Sequence, residues 1–450
     1  MAEPPHEPAR GHAAATLAAG ATLRAEAARA LARIVFGGRS LRTVLADTPR
    51  MPDRRDHALH AASLFAATRW WLRLNPALDM LTNKPLPPPA REVRALLVIG
   101  LAQRVVLDLP DYAVVATCVE AARRLGQPRY AGLTNAVLRN FLRERAALDA
   151  RLDQEPITRY AHPRWLIEAI RREWPDHAEA ILTANNHEAS PTLRVNTRRA
   201  TRDALLARWR DADIAASAHV ELPDAIVLPQ STDVTQLPGY AEGLFSVQDG
   251  AAQRVADLLD LRDGQRVLDA CAAPGGKSTH ILERAAVDLL ALDSDAVRLQ
   301  RVRENLQRLR LEATLATGDA TTPATWWDGR PFQRILIDAP CSATGIIRRQ
   351  PDIKLHRRPA DIPPLATTQG TLLRALWPLL APGGRIVYAT CSLLRAENAA
   401  VLAQFLAACD DARAVPLPER FGHAAGIGRQ RLPGEEGMDG FFYAVLEKIS

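Results

Sequence analysis

Apolar residues recur three and four positions apart through "LRAEAARALARIVF", "HALHAASLFAATRWWLRL", "REVRALLVIGLAQRVVL", "YAVVATCVEAARRLG" and "LTNAVLRNFLRERAALD". This period predicts a run of amphipathic helices over residues 21–152. Proline and glycine stand between the helices, as in "NKPLPPPA" and "LGQPRY". Over 153–242 the pattern is mixed: "HPRWLIEAIRREW" keeps the helical period, "PTLRVNT" reads as a strand, and "TRDALLARWRDA" opens on a capping residue, Thr201. A small α/β linker domain is expected there. Residues 1–20, rich in alanine, proline and glycine, are expected to form a disordered tail.

From 243 to 450 strands and helices alternate. "QRVLDACA", "DLLALDSD", "ATLATGDA", "RILIDAPC" and "GRIVYATC" are short apolar runs, each followed by a polar or glycine-bearing turn. That alternation predicts an α/β domain with a parallel, doubly wound sheet, whose ligands sit beyond the carboxyl ends of the strands.

At 450 residues the chain is long enough for several cores, and 47% hydrophobic with 24% charged residues is an ordinary globular balance. No apolar run approaches the ~18–20 residues that cross a bilayer, and "MAEPPHEPARGH" lacks a signal-peptide core, so a cytoplasmic protein without membrane contact is expected. The five cysteines are too few for a disulfide framework, and none lies within four residues of another, which excludes CxxC metal or redox motifs; no metal is expected. The formal charge of +6 and pI near 9.3 favour a polyanionic partner. Nearly all cations are arginine, since only Lys84, Lys277, Lys354 and Lys448 are lysine.

The unusual residues fall at the strand ends. Asp269, Asp293, Asp319 and Asp338 each end or follow one of the first four sheet strands. One such aspartate is ordinarily a cap or a turn former; four in succession point to a ligand. The first leads into "CAAPGGK", Cys271–Lys277, where glycines let backbone approach a ligand at a helix start. The dinucleotide pattern GxGxxG is absent, and Cys271 stands where a phosphate-binding P-loop has its first glycine. Asp293 follows Asp269 by 293 − 269 = 24 positions, close to the ~20-residue spacing at which an acid takes a ribose hydroxyl pair. A ligand with ribose and adenine but no required phosphate fits, and S-adenosylmethionine is one.

"VLDACAAPGGKSTHILE", "DAPCSATGIIRRQPDIK" and "YATCSLLRAEN" resemble the RNA (cytosine-5) methyltransferase family that includes the Sun/Fmu and NOL1/NOP2 proteins. "LTNAVLRNFLRE" and the helices before it resemble the NusB-type RNA-binding domain. The resemblance covers about residues 22–448 and is strongest to the bacterial small-subunit branch. It implies a Rossmann-like S-adenosylmethionine methyltransferase sheet preceded by a helical NusB-like domain. Cys271, Ala272, Ala273, Pro274, Gly275, Gly276, Lys277, Asp293, Asp319 and Asp338 would line the cofactor site. The implied partner is 16S rRNA or an early small-subunit particle, acted on by a monomer.

Carbon 5 of cytosine is too weak a nucleophile to take a methyl group unaided. A thiolate adding at C6 makes C5 enamine-like, and a base must then remove the C5 proton so that the thiol can leave. DNA cytosine methyltransferases use a cysteine after proline, here Cys341 after Pro340; the RNA family uses the Thr-Cys pair, here Thr390–Cys391. Chain order leaves both open. The resemblance implies Cys391 as nucleophile, Cys341 as the elimination and release group, and Asp338 as the partner of the cytosine ring. Lys277 is a candidate source of positive potential. Cys118 and Cys409 read as small packed apolar residues and Cys271 as a backbone neighbour of the cofactor.

Phosphate contacts are expected from Arg348, Arg349, Lys354, Arg357 and Arg358, which follow Cys341 against one carboxylate, Asp352. Arg123, Arg124, Arg129, Arg139, Arg143 and Arg145 form either a solvated face or a second nucleic-acid footprint. Two rival functions stand beside methylation of 16S rRNA. One is a cytosine-5 methyltransferase for another rRNA or tRNA site. The other is an RNA-binding or antitermination factor with an inactive sheet domain, which the intact cysteines and glycine turn oppose.

Overall fold

The computed structural model describes residues 9–49, 51, 53–82, 84, 86–230 and 232–449. They fall into two compact units. One comprises the chain up to Asn186 together with Gln350–His356, the other His187–Arg349 with the rest from Arg357.

The first unit is helical. Its principal helices are Ala9–Val35, Arg54–Arg69, Arg91–Val105, Asp111–Arg124 and Ala131–Leu152. Arg91–Val105 is the central one: Val93, Leu96, Leu97, Val98 and Ile99 are all inaccessible, because this segment is apolar on nearly every side. Ser40 and Asp53 cap the helices that follow them by accepting backbone N–H bonds. Helix Ala9–Val35 includes residues 9–20 of the expected tail, and its part from Ala21 packs into the core. Residues 1–8 lie outside the described residues. The helices Pro156–Tyr160, Arg164–Glu173 and Ala178–Ala184, expected in the α/β linker, cluster with the helical unit. No helix of the described residues is long and apolar enough to cross a membrane.

The second unit holds two sheets. The smaller contains β1 (Thr192–Val195), β2 (Ser217–Ala218), β3 (Ala225–Val227) and β4 (Phe245–Val247), all antiparallel in the order β2-β3-β1-β4. Helix Arg202–Asp211 accompanies it, capped as expected by the Thr201 hydroxyl. Trp209 and Phe245 meet edge to face in its core, and the Trp209 indole N–H reaches Pro238 O.

The larger sheet begins with the five expected strands, β5 (Arg266–Asp269), β6 (Asp288–Asp293), β7 (Thr314–Thr317), β8 (Phe332–Asp338) and β9 (Leu380–Thr390), all parallel. Four strands beyond the expected set close it: β10 (Ala412–Val415), β11 (His423–Ala425), β12 (Gly428–Arg431) and β13 (Phe441–Lys448). β13 runs antiparallel to β9, and the order is β11-β12-β13-β9-β8-β5-β6-β7, with β10 on β13. The chain winds outward from β5 to β7, then returns to place β8 on the other side of β5. The switch point therefore lies between the carboxyl ends of β5 and β8, at Asp269 and Asp338.

Candidate active site at the strand ends

Asp269, Asp293 and Asp338 are the last residues of β5, β6 and β8, and Asp319 lies two past β7. The turn after β5 is held from both sides. Ala273 N donates to Asp293 Oδ2 at 2.9 Å, Ala272 N to Leu292 O at 2.9 Å, and Gly275 N to Ala272 O at 2.7 Å. The Ala273–Pro274 peptide bond is cis. Gly275 has φ +98°, and a Cβ there would stand 3.1 Å from Val302 Cα, so the turn packs backbone to backbone on helix Ala296–Leu309. Helix Gly276–Arg284 then starts beneath the turn.

The four aspartates differ in state. Asp269 is buried and accepts from Ser278 Oγ at 2.7 Å; burial, with help from the charge of Asp338, holds its carboxyl up to about 6. Its second oxygen, Oδ1, is buried with no protein partner among the described residues. Asp293 is 4% exposed and also caps Asp295 N. Asp319 is exposed and bonds to Thr321 N and Oγ1, a local turn. Asp338 meets Lys277 Nζ at 2.5 Å. Burial works against the ammonium, but the charge and hydrogen bond of Asp338, with a smaller share from Cys391, raise Lys277 above its ordinary value.

The two expected thiols converge. Cys341 and Cys391 follow β8 and β9, and their sulfurs are 3.5 Å apart. The hydrogen bond to Cys391, then burial and the charges of Cys391 and Glu397, push Cys341 well above the ordinary thiol range. Gly345 N donates to Cys391 O at 2.8 Å, and Arg357 donates to Ser342 O at 3.1 Å and Cys341 O at 3.4 Å. A Cβ on Gly345 would collide with Gly440 O, so only glycine allows this close approach. Cys271 is raised by burial and the surrounding aspartates, which keeps it a neutral thiol beside the turn. Cys118 is packed as expected, whereas Cys409 is only partly buried and donates to Asp411 at 3.0 Å.

The basic segment after Cys341 is largely internal, which corrects the expected phosphate contacts. Arg348 is 7% exposed and donates to Met438 O at 3.0 Å; Arg349 is shared between Asp439 and Asp249 at 2.6 and 2.8 Å. Lys354 is 2% exposed and donates to Arg69 O and Asn186 Oδ1, each at 2.7 Å. Burial lowers its ammonium well below the ordinary range. A run of cations in the chain says nothing about which ones fold inward. Arg357 serves the Cys341 loop, and Arg358 alone of the five is exposed. In the helical unit Arg123, Arg124, Arg139 and Arg143 bond to neighbouring side chains such as Glu120, Thr22, Asn135 and Glu144. Arg145 pairs with Asp149 at 3.6 Å, and Arg129 stacks over Tyr130.

Several residues that the chain pattern did not single out support the site. Arg194 of β1 is 1% exposed, clasps both oxygens of Glu283 at 2.8 Å, and donates to Gly276 O at 2.7 Å. Gln248 and Thr279 complete its fork. Glu397 and Gln369, both inaccessible, stand behind the cysteine loops. "LRV" in a strand candidate and "RAEN" after a strand end were the available signals, and each has an ordinary structural reading.

A glycine turn at the switch point, an acid ending the second strand, and an antiparallel strand paired to the last parallel one are the marks of a Rossmann-like methyltransferase domain. Comparison with known proteins gives the particular family. Residues 256–447 match the family described as 16S rRNA methyltransferase RsmB/F, residues 162–235 its ferredoxin-like domain, and residues 21–143 the NusB family. The chain is 49% identical over 429 residues to ribosomal RNA small subunit methyltransferase B of Pseudomonas putida, spanning 95% of this chain and 98% of that one. It is 48% identical over 442 residues to the Xanthomonas campestris protein of the same name, spanning 97% and 100%. The chain belongs to the ribosomal RNA small subunit methyltransferase B family. The solved structure of PH0851, 20% identical, shares its fold with a TM-score of 0.77 over 94% of this chain and 99% of that chain.

Proposed function

We propose that the protein methylates C5 of a cytosine in 16S rRNA, with S-adenosylmethionine as donor and Cys391 as covalent nucleophile. The observation that carries this reading is the pair of thiols 3.5 Å apart beside the Lys277–Asp338 pair, next to the switch-point turn. The residues present fit the cofactor: the unpartnered Asp269 Oδ1 can accept from an amino group, and Asp293 ends the strand where a ribose is held. Cys271–Lys277 and Asp319 complete that wall. When bound, S-adenosylmethionine supplies an electrophilic methyl group.

The protein's own work is then defined. The target base is unstacked into the pocket, and Asp338, held by Lys277 at 2.5 Å, bonds to the cytosine ring. The Cys391 thiolate adds to C6, and C5 gains nucleophilic character. After transfer, the C5 proton leaves to a base and the C6–sulfur bond breaks. Cys341, a neutral thiol beside Cys391, gives its proton to the departing Cys391 sulfur and takes up the C5 proton, so the C5–C6 double bond is restored and both thiols end protonated. The NusB-like helical domain and the exposed Arg358 support RNA binding by the same chain.

The test is transfer of labelled methyl from S-adenosylmethionine to 16S rRNA, free or in an early small-subunit particle, followed by digestion to nucleosides. Label in 5-methylcytosine supports the reading. Label at a ring nitrogen or a ribose oxygen, or cofactor binding without transfer to either substrate, contradicts it.

A further inference from the structure

Behind the two thiols lies a buried polar cluster that no step of the proposed reaction uses. Its centre is Glu397, whose side chain is inaccessible to solvent. Oε1 accepts from Ser342 N at 2.7 Å, and Oε2 accepts from Ser342 Oγ at 2.5 Å and Ser392 Oγ at 2.6 Å. Ser342 is the residue after Cys341, and Ser392 the residue after Cys391. Gln369 Nε2 reaches both Glu397 Oε1 at 3.3 Å and Pro340 O at 2.9 Å, which extends the grip to the residue before Cys341. Ser342, Thr344, Ser392 and Gln369 are all 0% exposed.

A carboxylate in such a place is costly to bury, and apolar packing of similar volume is commonly as stable or more so. Its use must therefore lie in what it arranges. The Cys391 loop has holds of its own. Asn398 Nδ2 donates to Ser392 O at 3.0 Å, and Thr390 Oγ1 to Asn398 Oδ1 at 2.5 Å. The Cys341 loop donates two hydrogen bonds to Glu397, one from a backbone N–H and one from the Ser342 hydroxyl.

We infer that Glu397 is a positioning residue, a clamp that fixes the Cys341 loop against the Cys391 loop and so sets the distance between the two sulfurs. Its carboxylate bonds to the serines that follow the two cysteines, Ser342 and Ser392. The clamp matters most after methyl transfer, when Cys341 has to be in place for Cys391 to leave. The inference rests on the thiol roles given under the proposed function. Its signature is a long-lived protein–RNA adduct in a protein that still has both cysteines.

The experiment follows formation and decay of the denaturant-resistant adduct with 16S rRNA and S-adenosylmethionine, in wild type, Cys341→Ala, Glu397→Ala, Glu397→Gln and Ser342→Ala. Thermal unfolding is recorded for each. Glutamine can still accept from Ser342 N and can donate to the serine hydroxyls, so it is the conservative rescue. We expect adduct decay in Glu397→Ala to slow by about tenfold or more, in the range that misplacement of a reacting group produces, with formation little changed and glutamine restoring most of the decay rate. Ser342→Ala, the gentler change, shifts decay in the same direction and decides the matter if Glu397→Ala does not fold. Decay as fast as wild type in a folded variant, or formation and decay slowed by one common factor, overturns the clamp. An adduct that fails to accumulate in Cys341→Ala overturns the thiol roles beneath it, and the clamp with them.

Discussion

The sulfurs of Cys341 and Cys391 lie 3.5 Å apart although fifty positions separate them in the chain. Parallel pairing of β8 with β9 delivers them there: Asp338 stands opposite Ala389, and each strand's next few residues turn over the same edge. The hydrogen bond to Cys391, then burial, hold the Cys341 thiol well above its ordinary range, so Cys341 is a neutral member of the pair. A pair with one nucleophile and one neutral thiol suits a reaction in which the first must attack and later leave.

The Lys277–Asp338 contact at 2.5 Å joins the ammonium to the carboxylate proposed to hold the base. Lys277→Met keeps most of the side-chain volume and removes the charge. We expect kcat for methyl transfer to fall by roughly a hundredfold, the scale for loss of one preorganised electrostatic group, with a smaller change in KM. Steady-state kinetics with 16S rRNA checks this.

Asp269 gives a pH dependence of stability. Its carboxyl is raised to about 6 by burial, so the folded protein retains a proton that the unfolded chain has released. Stability from this group is full at acid pH and is lost as pH rises through 6. Between about pH 5 and pH 7.5, wild type should lose about 1 kcal/mol relative to Asp269→Asn, read from urea midpoints at the two pH values.

Arg348 should act on stability and not on RNA charge. Its guanidinium is spent on Gly437 O, Met438 O and Asp439. We expect Arg348→Ala to lower the unfolding midpoint and to leave the slope of log K against log salt for RNA binding unchanged. A slope smaller by about one would mark a phosphate contact instead.

Arg194 ties β1 to the glycine turn through Gly276 O and to Glu283. Arg194→Met leaves a buried carboxylate without its cation, which costs about 3–5 kcal/mol. The urea unfolding curve should show that loss. Cofactor affinity, measured by calorimetry on the folded fraction, should weaken as the turn loosens.

Much of this was legible in the chain because parallel strands buried on both faces are short apolar runs, and the five of them stand out between turns. Their ends carry the aspartates and cysteines, so strand ends and site coincide. β13, "FFYAVLEK", is as apolar as those strands but follows no helix, and alternation alone did not include it. The inward turn of Arg348, Arg349 and Lys354 was hidden because a run of cations looks the same whether water or carboxylates receive it. Glu397 was hidden for a related reason. Its partners Ser342 and Gln369 lie 55 and 28 positions away, and nothing local marks a glutamate that will be wholly buried.

The most direct measurement is a denaturing gel of the protein with labelled 16S rRNA and S-adenosylmethionine, comparing Cys341→Ala with Cys391→Ala. A covalent adduct should accumulate in Cys341→Ala and be absent from Cys391→Ala. An adduct that forms only in Cys391→Ala would reverse the two roles, and none in any form, wild type included, would contradict the covalent route.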